Sequence, residues 1–150
     1  MSRLSVSASL EAKILSALRA VAPSIPAVGL LEVASSGAAK VEDPTSLQVR
    51  VYNFKQRHAG TGLFSVSAEI RLNVEQAESA NGALFLDTHE RVALWLERMM
   101  MDGACTALDT PSACVDGLER VGDDKDFDIS TGEWFALWNL TLSGRLNEEA

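Results

Sequence analysis

The sequence predicts an α+β fold, with a mainly antiparallel sheet of four to five strands and two principal helices packed on it. The strongest observation is the stretch LFSVSAEIRLNV, residues 63–74, in which apolar and polar residues alternate strictly. Such alternation is typical of a strand with one face in a core, and it favours an antiparallel sheet because parallel strands covered on both faces are apolar throughout. The second observation is a length of 150 residues with 47% apolar content, which suits one domain over residues 1–150.

The chain begins with a predicted helix and a short strand. In residues 9–22 the apolar positions recur at spacings of three and four, which predicts an amphipathic helix that ends before Pro23. The segment VGLLEVA, residues 28–34, is the predicted first strand. The composition of the next segment, SSGAAKVEDP, predicts a flexible loop of about residues 35–45.

Two alternating segments, residues 46–54 and 63–74, form a predicted hairpin. The segment between them, KQRHAGTG, carries two glycines, as hairpin connections often do. The basic side chains Lys55, Arg57 and His58 are therefore expected at the hairpin tip, where they are either solvated or available as loop contacts with a partner.

The second principal helix is predicted from about Thr88 to Met101. Asp87 stands at the N-cap position with a Glu three residues later, which is a capping-box pattern, and it places His89 in an exposed first turn. Consecutive helical residues lie about 100° apart, so the methionines at 99–101 cannot all face the core. Met100 and Met101 are accordingly candidate subunit-interface residues.

The rest of the chain is predicted as a flexible loop over about 102–116, a short strand over 117–122, an acidic connection and a last strand over 133–146. The last strand is apolar along one face, and Phe135 and Leu137 add apolar residues to the other face at its start. We expect these two side chains to contact a neighbouring subunit. The terminal NEEA is expected to fray.

The sequence carries no recognisable catalytic, cofactor or metal signature. Asp124, Asp126 and Asp128 alternate as the first ligands of a calcium loop do, but the Gly and Glu positions that should follow do not match, which favours a solvated acidic loop over 123–128. Cys105 and Cys114 are too few for a metal site and are expected to be ordinary thiols. We therefore predict a protein that is not an enzyme.

Charge and hydropathy disfavour two classes of partner. A net charge of −8 and a pI near 4.7 oppose tight binding to nucleic acid backbones. No segment approaches the roughly 18 apolar residues of a membrane span, and the N-terminus lacks the apolar region of a secretory signal. The chain is expected to be soluble and cytosolic.

The order of elements carries a resemblance over nearly the whole chain. It consists of a helix (LEAKILSALRAV), two hairpin strands (LQVRVYNF and LFSVSAEIRLNV), a helix entered through DTHERVALWLERM, and the ending GEWFALWNLTLSG after an acidic loop. This order resembles the tail terminator and tail-completion proteins of long-tailed bacteriophages. The resemblance implies a minor tail protein of a phage or prophage, without a cofactor, that is made in the host cytoplasm. It also implies a homo-oligomer, such as a hexameric ring, that contacts tail-tube and head-completion proteins.

A second interpretation stays open beside this one. A small α+β ligand-binding module or enzyme would place a pocket between its helices and sheet, lined by Trp95, Trp134 and Trp138. A pocket lined by these three rings would favour this second interpretation, and burial of the rings in the core would not.

Overall fold

The computed structural model describes residues 5–35, 37, 45–75, 80–101, 103–128 and 132–147, and it confirms the α+β class. The elements in chain order are α1 (Val6–Val21), β1 (Ala27–Gly29), α2 (Leu30–Ser35), β2 (Ser46–Gln56), β3 (Leu63–Glu75), α3 (Ala80–Met100), a 3₁₀ helix (Ala104–Leu108), β4 (Ala113–Asp128) and β5 (Glu133–Leu146).

The strands form one five-stranded sheet in the order β1-β2-β3-β5-β4. β1 pairs with β2 in parallel, and the other three pairings are antiparallel. The strictly alternating stretch is the central strand β3, with Ile70 opposite Val49 of β2 and Trp138 of β5. The predicted β2–β3 hairpin is confirmed.

The core lies between one face of the sheet and the two long helices. The apolar residues of β3, from Phe64 to Val74 at every second position, are all buried together with Leu10 and Ile14 of α1 and Val92 of α3. We call the opposite face, which carries the alternate polar residues of β3, the outer face. Because only one face of β3 is buried, apolar and polar residues alternate along its sequence.

The predicted first strand is wrong from Leu30 onward, because β1 ends at Gly29 and α2 begins at Leu30. The buried Glu11 of α1 lies at this junction, and its carboxylate accepts a hydrogen bond from the backbone N–H of Leu31 (3.5 Å). A Cβ atom on Gly29 would overlap that carboxylate and the Leu15 side chain. The close approach of α1 therefore requires glycine here, and Glu11 satisfies a backbone donor of the first turn of α2.

Burial raises the pKa of the Glu11 carboxyl above its ordinary value, and the charge of Glu32 adds to this, while backbone hydrogen bonds from Leu31, Glu32 and Val51 act against it. A carboxyl with a raised pKa in the folded state binds protons more readily when folded. Its contribution to stability is therefore complete below about pH 4.5 and is lost as the pH rises through the folded-state pKa.

We expect the variant Glu11→Gln to remove this pH dependence. Urea titrations between pH 4.5 and 7.5 should show the free energy of unfolding of the wild type falling with rising pH relative to Glu11→Gln. The control is Glu97→Gln at an exposed position of α3, which should follow the wild type. Parallel curves for the wild type and Glu11→Gln would contradict the expectation.

The predicted start of the second principal helix is also wrong. α3 begins at Ala80, and Asp87 is not an N-cap but lies within the helix, where its Oδ2 pairs with Arg91 Nε at 2.9 Å. Phe85 and Thr88 are both buried. The buried side of α3 therefore extends towards the N-terminus through the segment that looks like a capping box. Tertiary burial therefore overrides the local capping signal.

The C-terminal third is more regular than predicted. The 102–116 segment contains the 3₁₀ helix, which buries Cys105 and Leu108, and a tight turn in which Thr110 pairs with Ala113. β4 then runs to Asp128, so the predicted short strand and the predicted acidic loop are one long edge strand. Edge strands tolerate charged residues on both faces. Such a strand shows no alternation of apolar and polar residues, so it cannot be recognised from a period of two in the sequence. Most of the predicted 35–45 loop and the end of the terminal NEEA lie outside the described residues.

Candidate functional site

The outer face of the sheet carries the apolar pair that begins β5. Phe135 lies opposite Asn73, and Leu137 lies opposite Arg71, on the central strand. Both apolar side chains are half-buried, and the Arg71 guanidinium carbon is 5.9 Å from the centroid of the Phe135 ring. The two residues predicted from the sequence as an interface thus lie together on one face, beside an exposed cation.

A depression of about 330 Å³ lies on the outer face, and neither Phe135 nor Leu137 is among the residues that line it. It is lined by Tyr52, Ser67, Val121, Gly122, Asn139, Leu140 and Thr141. Val121 is 65% exposed and occupies an irregularity in the β4–β5 register, between Arg120 and Gly122. The depression is therefore lined by both apolar and polar groups.

A second exposed apolar surface lies on α3 and on Met101, the residue that follows it. Leu86, Leu94 and Met101 are 59%, 52% and 64% exposed, and we call these three residues the α3 stripe. Met99 and Met100 instead pack partly against the core, so Met101 is the methionine that faces solvent. Sequence reasoning missed both leucines. A helix that begins at Thr88 excludes Leu86, whereas Leu94 lies inside the predicted helix and was not singled out, because only the core-facing side of that helix was considered. A helical projection started at Ala80 would have found them.

Acidic side chains accompany the α3 stripe. At 100° per residue, Glu90 and Glu97 fall within the same arc of about 80° that holds Leu86 and Leu94. Both glutamates are exposed. The stripe is therefore an apolar surface with negative charge within it.

The basic residues predicted at the hairpin tip lie there. Lys55 is at the end of β2, Arg57 and His58 belong to the turn, and all three are exposed. The turn is held by a hydrogen bond from Thr61 Oγ1 to the His58 carbonyl (2.6 Å) and by one from Leu146 N–H to the Gly62 carbonyl (2.8 Å). A contact between these basic residues and a partner stays a prediction.

Of the three tryptophans predicted to line a pocket, Trp134 and Trp138 belong to an aromatic cluster between α3 and β5, and Trp95 of α3 is part of the hydrophobic core. Trp138 and Trp95 are core side chains, only 1% and 7% exposed. The half-buried Trp134 stacks on Phe85, with ring centroids 5.6 Å apart. This packing gives Trp95 and Trp138 a structural role at the contact between the helix and the sheet.

His89 lies in the middle of α3 and not in an exposed first turn as predicted. Its ring is half-buried and lies 5.0 Å from the Trp138 ring, measured between centroids. Burial lowers the pKa of His89, the charge of Lys125 lowers it further, and Asp123 opposes these effects. The neutral imidazole is thus the form that fits this contact at neutral pH.

The acidic residues and the cysteines form no metal site within the side chains that the structure describes. The backbone of 123–128 is β-strand, while the side chains of Asp126 and Asp128 lie outside the described set. Cys105 is buried, which raises the pKa of its thiol, and Cys114 is exposed with its Sγ 3.1 Å from Asn147 Oδ1.

Comparison with known protein families and with curated proteins finds no match for this chain. Within the described ranges, no helix combines the length and the apolar character that crossing a membrane requires.

Proposed function

We propose that the protein is a non-enzymatic assembly protein of a phage or prophage tail, and that about six copies form a ring at the head-proximal end of the tail tube. In that position it contacts tail-tube and head-completion proteins within the virion. The resemblance in element order supports this proposal. The structural observation that carries it is the outer face, where Phe135 and Leu137 are only half-buried on a sheet whose other face is covered by α1 and α3.

The long edge strand β4 favours association through faces instead of strand pairing. Exposed charged residues, among them Glu119, Arg120 and Asp123, lie along it. Its register shifts at Asp116 and Val121, where a further strand would lose its hydrogen-bond ladder. Charges and bulges of this kind disfavour the addition of another strand.

The net charge fits a ring through which DNA passes. Each copy carries a formal charge of −8, so a ring of such copies presents an acidic surface that repels the phosphate backbone. This is consistent with a passage that DNA crosses without adhering.

Light scattering over a concentration series at moderate salt tests the proposal. We expect the mass to rise with concentration towards about six times the chain mass of 16.1 kDa, with closed rings in negative-stain electron micrographs. Phe135→Asp should abolish the rise, because it places a charge within the apolar pair.

The matched control is Phe54→Asp. Phe54 is a phenylalanine that is 40% exposed, and it stacks on Phe64 at the core side of the sheet, away from the outer face. This variant should still assemble. A mass that stays at one or two chains at every concentration, with and without purified tail tubes, would contradict the proposal.

A further inference from the structure

We infer that the outer face binds an oxyanion, a carboxylate or phosphate group of a ligand, at the end of the sheet where the β2–β3 hairpin turns. We call this place the tip end and define it by Lys55, Arg57 and Arg145 and by the depression that Arg145 lines. The inference does not depend on the proposed assembly function, because binding of a small anion is measured on the single chain.

The strand register places the three cations on one face. Lys55 of β2 pairs with Ser65 of β3. Arg145 of β5 pairs with Leu63 of β3, and Arg57 donates its backbone N–H to the Leu63 carbonyl (3.0 Å). Because directly paired residues share a face, the three cations lie on the outer face, and about 10 Å separates the backbones of Arg57 and Arg145 across β3.

The depression at the tip end has a volume of about 360 Å³. Arg145 and Gln56 line it together with Gly60 and Gly62, whose φ angles are 80° and 76°. These two glycines leave part of the wall as main chain without a Cβ atom, which lets a ligand approach the backbone closely. The guanidinium of Arg145 has paired N–H donors that match the oxygens of a carboxylate or a phosphate.

The cations at the tip end are not neutralised by ion pairs. Among the side chains that the structure describes, Lys55, Arg57 and Arg145 form no salt bridge. Two carboxylates of neighbouring segments accept hydrogen bonds from other groups. Asp109 accepts the backbone N–H of Val115 (2.6 Å), and Asp116 accepts the hydroxyl of Ser143 (3.5 Å). The guanidinium of Arg145 is therefore available to an external anion.

The opposite end of the outer face has the reverse charge. Glu75 pairs with Glu133 there, and Asp124 lies opposite Leu137 in the same row as Arg71. Three carboxylates thus surround one cation at that end. An anion that approaches the outer face is therefore attracted to the tip end and repelled from the other.

Titration of the ¹⁵N-labelled full chain with sodium phosphate and, separately, with a tetraglutamate peptide tests the site at constant ionic strength. We expect saturable chemical-shift changes of the backbone amides of Gly60 and Gly62. Arg145→Gln should weaken binding of both probes about tenfold, because it removes a charge-assisted hydrogen bond. Tighter binding of the peptide would identify the ligand as an acidic segment of a partner protein, and tighter binding of phosphate would identify it as a phosphorylated small molecule.

Arg120→Gln is the matched control. Arg120 is an exposed arginine of β4 that pairs with Leu140, away from the tip end, and its variant should bind both probes as the wild type does. Circular dichroism of both variants confirms that the fold is retained. The absence of saturable changes at Gly60 and Gly62 with either probe would overturn the site, and so would an equal loss of affinity in the two variants.

A second pair of substitutions gives an independent measurement. Glu148 and Glu149 follow directly after Asn147, which also lines the depression. Their charges oppose the binding of an external anion, so replacing both with glutamine should tighten phosphate binding about twofold. Weaker binding after this double substitution would contradict a site at the tip end. None of these outcomes bears on assembly.

Discussion

Replacing Gly144 with alanine should lower the free energy of unfolding by about 3 kcal/mol, at the upper end of the cost of overpacking. Gly144 lies in β5 opposite Val115 of β4. A Cβ atom at this position would overlap the carbonyl oxygen of Cys114 and press on the backbone of Val115. Backbone atoms cannot rotate away as a side chain can, so the β4–β5 pairing must open locally.

Gly122→Ala is the matched control for Gly144→Ala. Gly122 belongs to the same pair of strands, but no atom within 4 Å would meet a Cβ there. We expect this variant to change stability by no more than about 0.5 kcal/mol, as substitutions without a structural conflict do. Urea unfolding at low protein concentration measures both values, and similar losses in the two variants would contradict the assignment of β4 opposite Gly144.

Replacing Leu142 with alanine should cost about 3 kcal/mol, because the substitution leaves a cavity in the middle of the core. Leu142 is fully buried, and it pairs with Val66 on one side and Leu118 on the other. The surrounding strands are fixed by their hydrogen bonds, so the structure collapses only partly around the missing atoms.

Leu137→Ala is the control for Leu142→Ala, since it removes the same atoms from the same strand on the opposite face. Leu137 is only half-buried, so its loss should cost about 1 kcal/mol in the monomer. Thermal melting and urea titration of the two variants, below the concentration at which the wild type assembles, give the difference. An equal loss for both would mean that the outer face is as buried as the core.

The parts of the fold that could be predicted are those in which local pattern and tertiary burial agree. β3 is buried on one face along its whole length, so its alternation survives intact in the sequence. α1 is also well predicted, because its buried positions follow the helical period and Pro23 comes directly after it.

The parts that could not be predicted are those in which a distant contact decides the local structure. α2 replaces most of a predicted strand because the carboxylate of Glu11, twenty residues before Leu31, accepts a hydrogen bond from its first turn. α3 starts earlier than predicted because the ring of Phe85 stacks on the ring of Trp134 of β5. β4 could not be recognised because a charged edge strand carries no clear periodicity.

The candidate site was predicted in part. Phe135, Leu137 and Met101 were identified because an apolar residue on the wrong side of an amphipathic element is visible in sequence. Leu86 depended on the correct helix boundary, whereas Leu94 lies inside the predicted helix and could have been found from a helical projection. The association of Arg71 with Phe135 depended on the register between β3 and β5, which are separated by more than fifty residues in the chain.

The strand order has a consequence for how the chain is made. β5 lies between β3 and β4, yet the ribosome synthesises it after every other strand of the sheet. Until β5 emerges, the β2–β3 hairpin can form locally, but β3 keeps an open apolar edge and β4 has no partner. The nascent chain is therefore most prone to aggregation late in synthesis, and its cooperative folding begins only when the final strand closes the sheet.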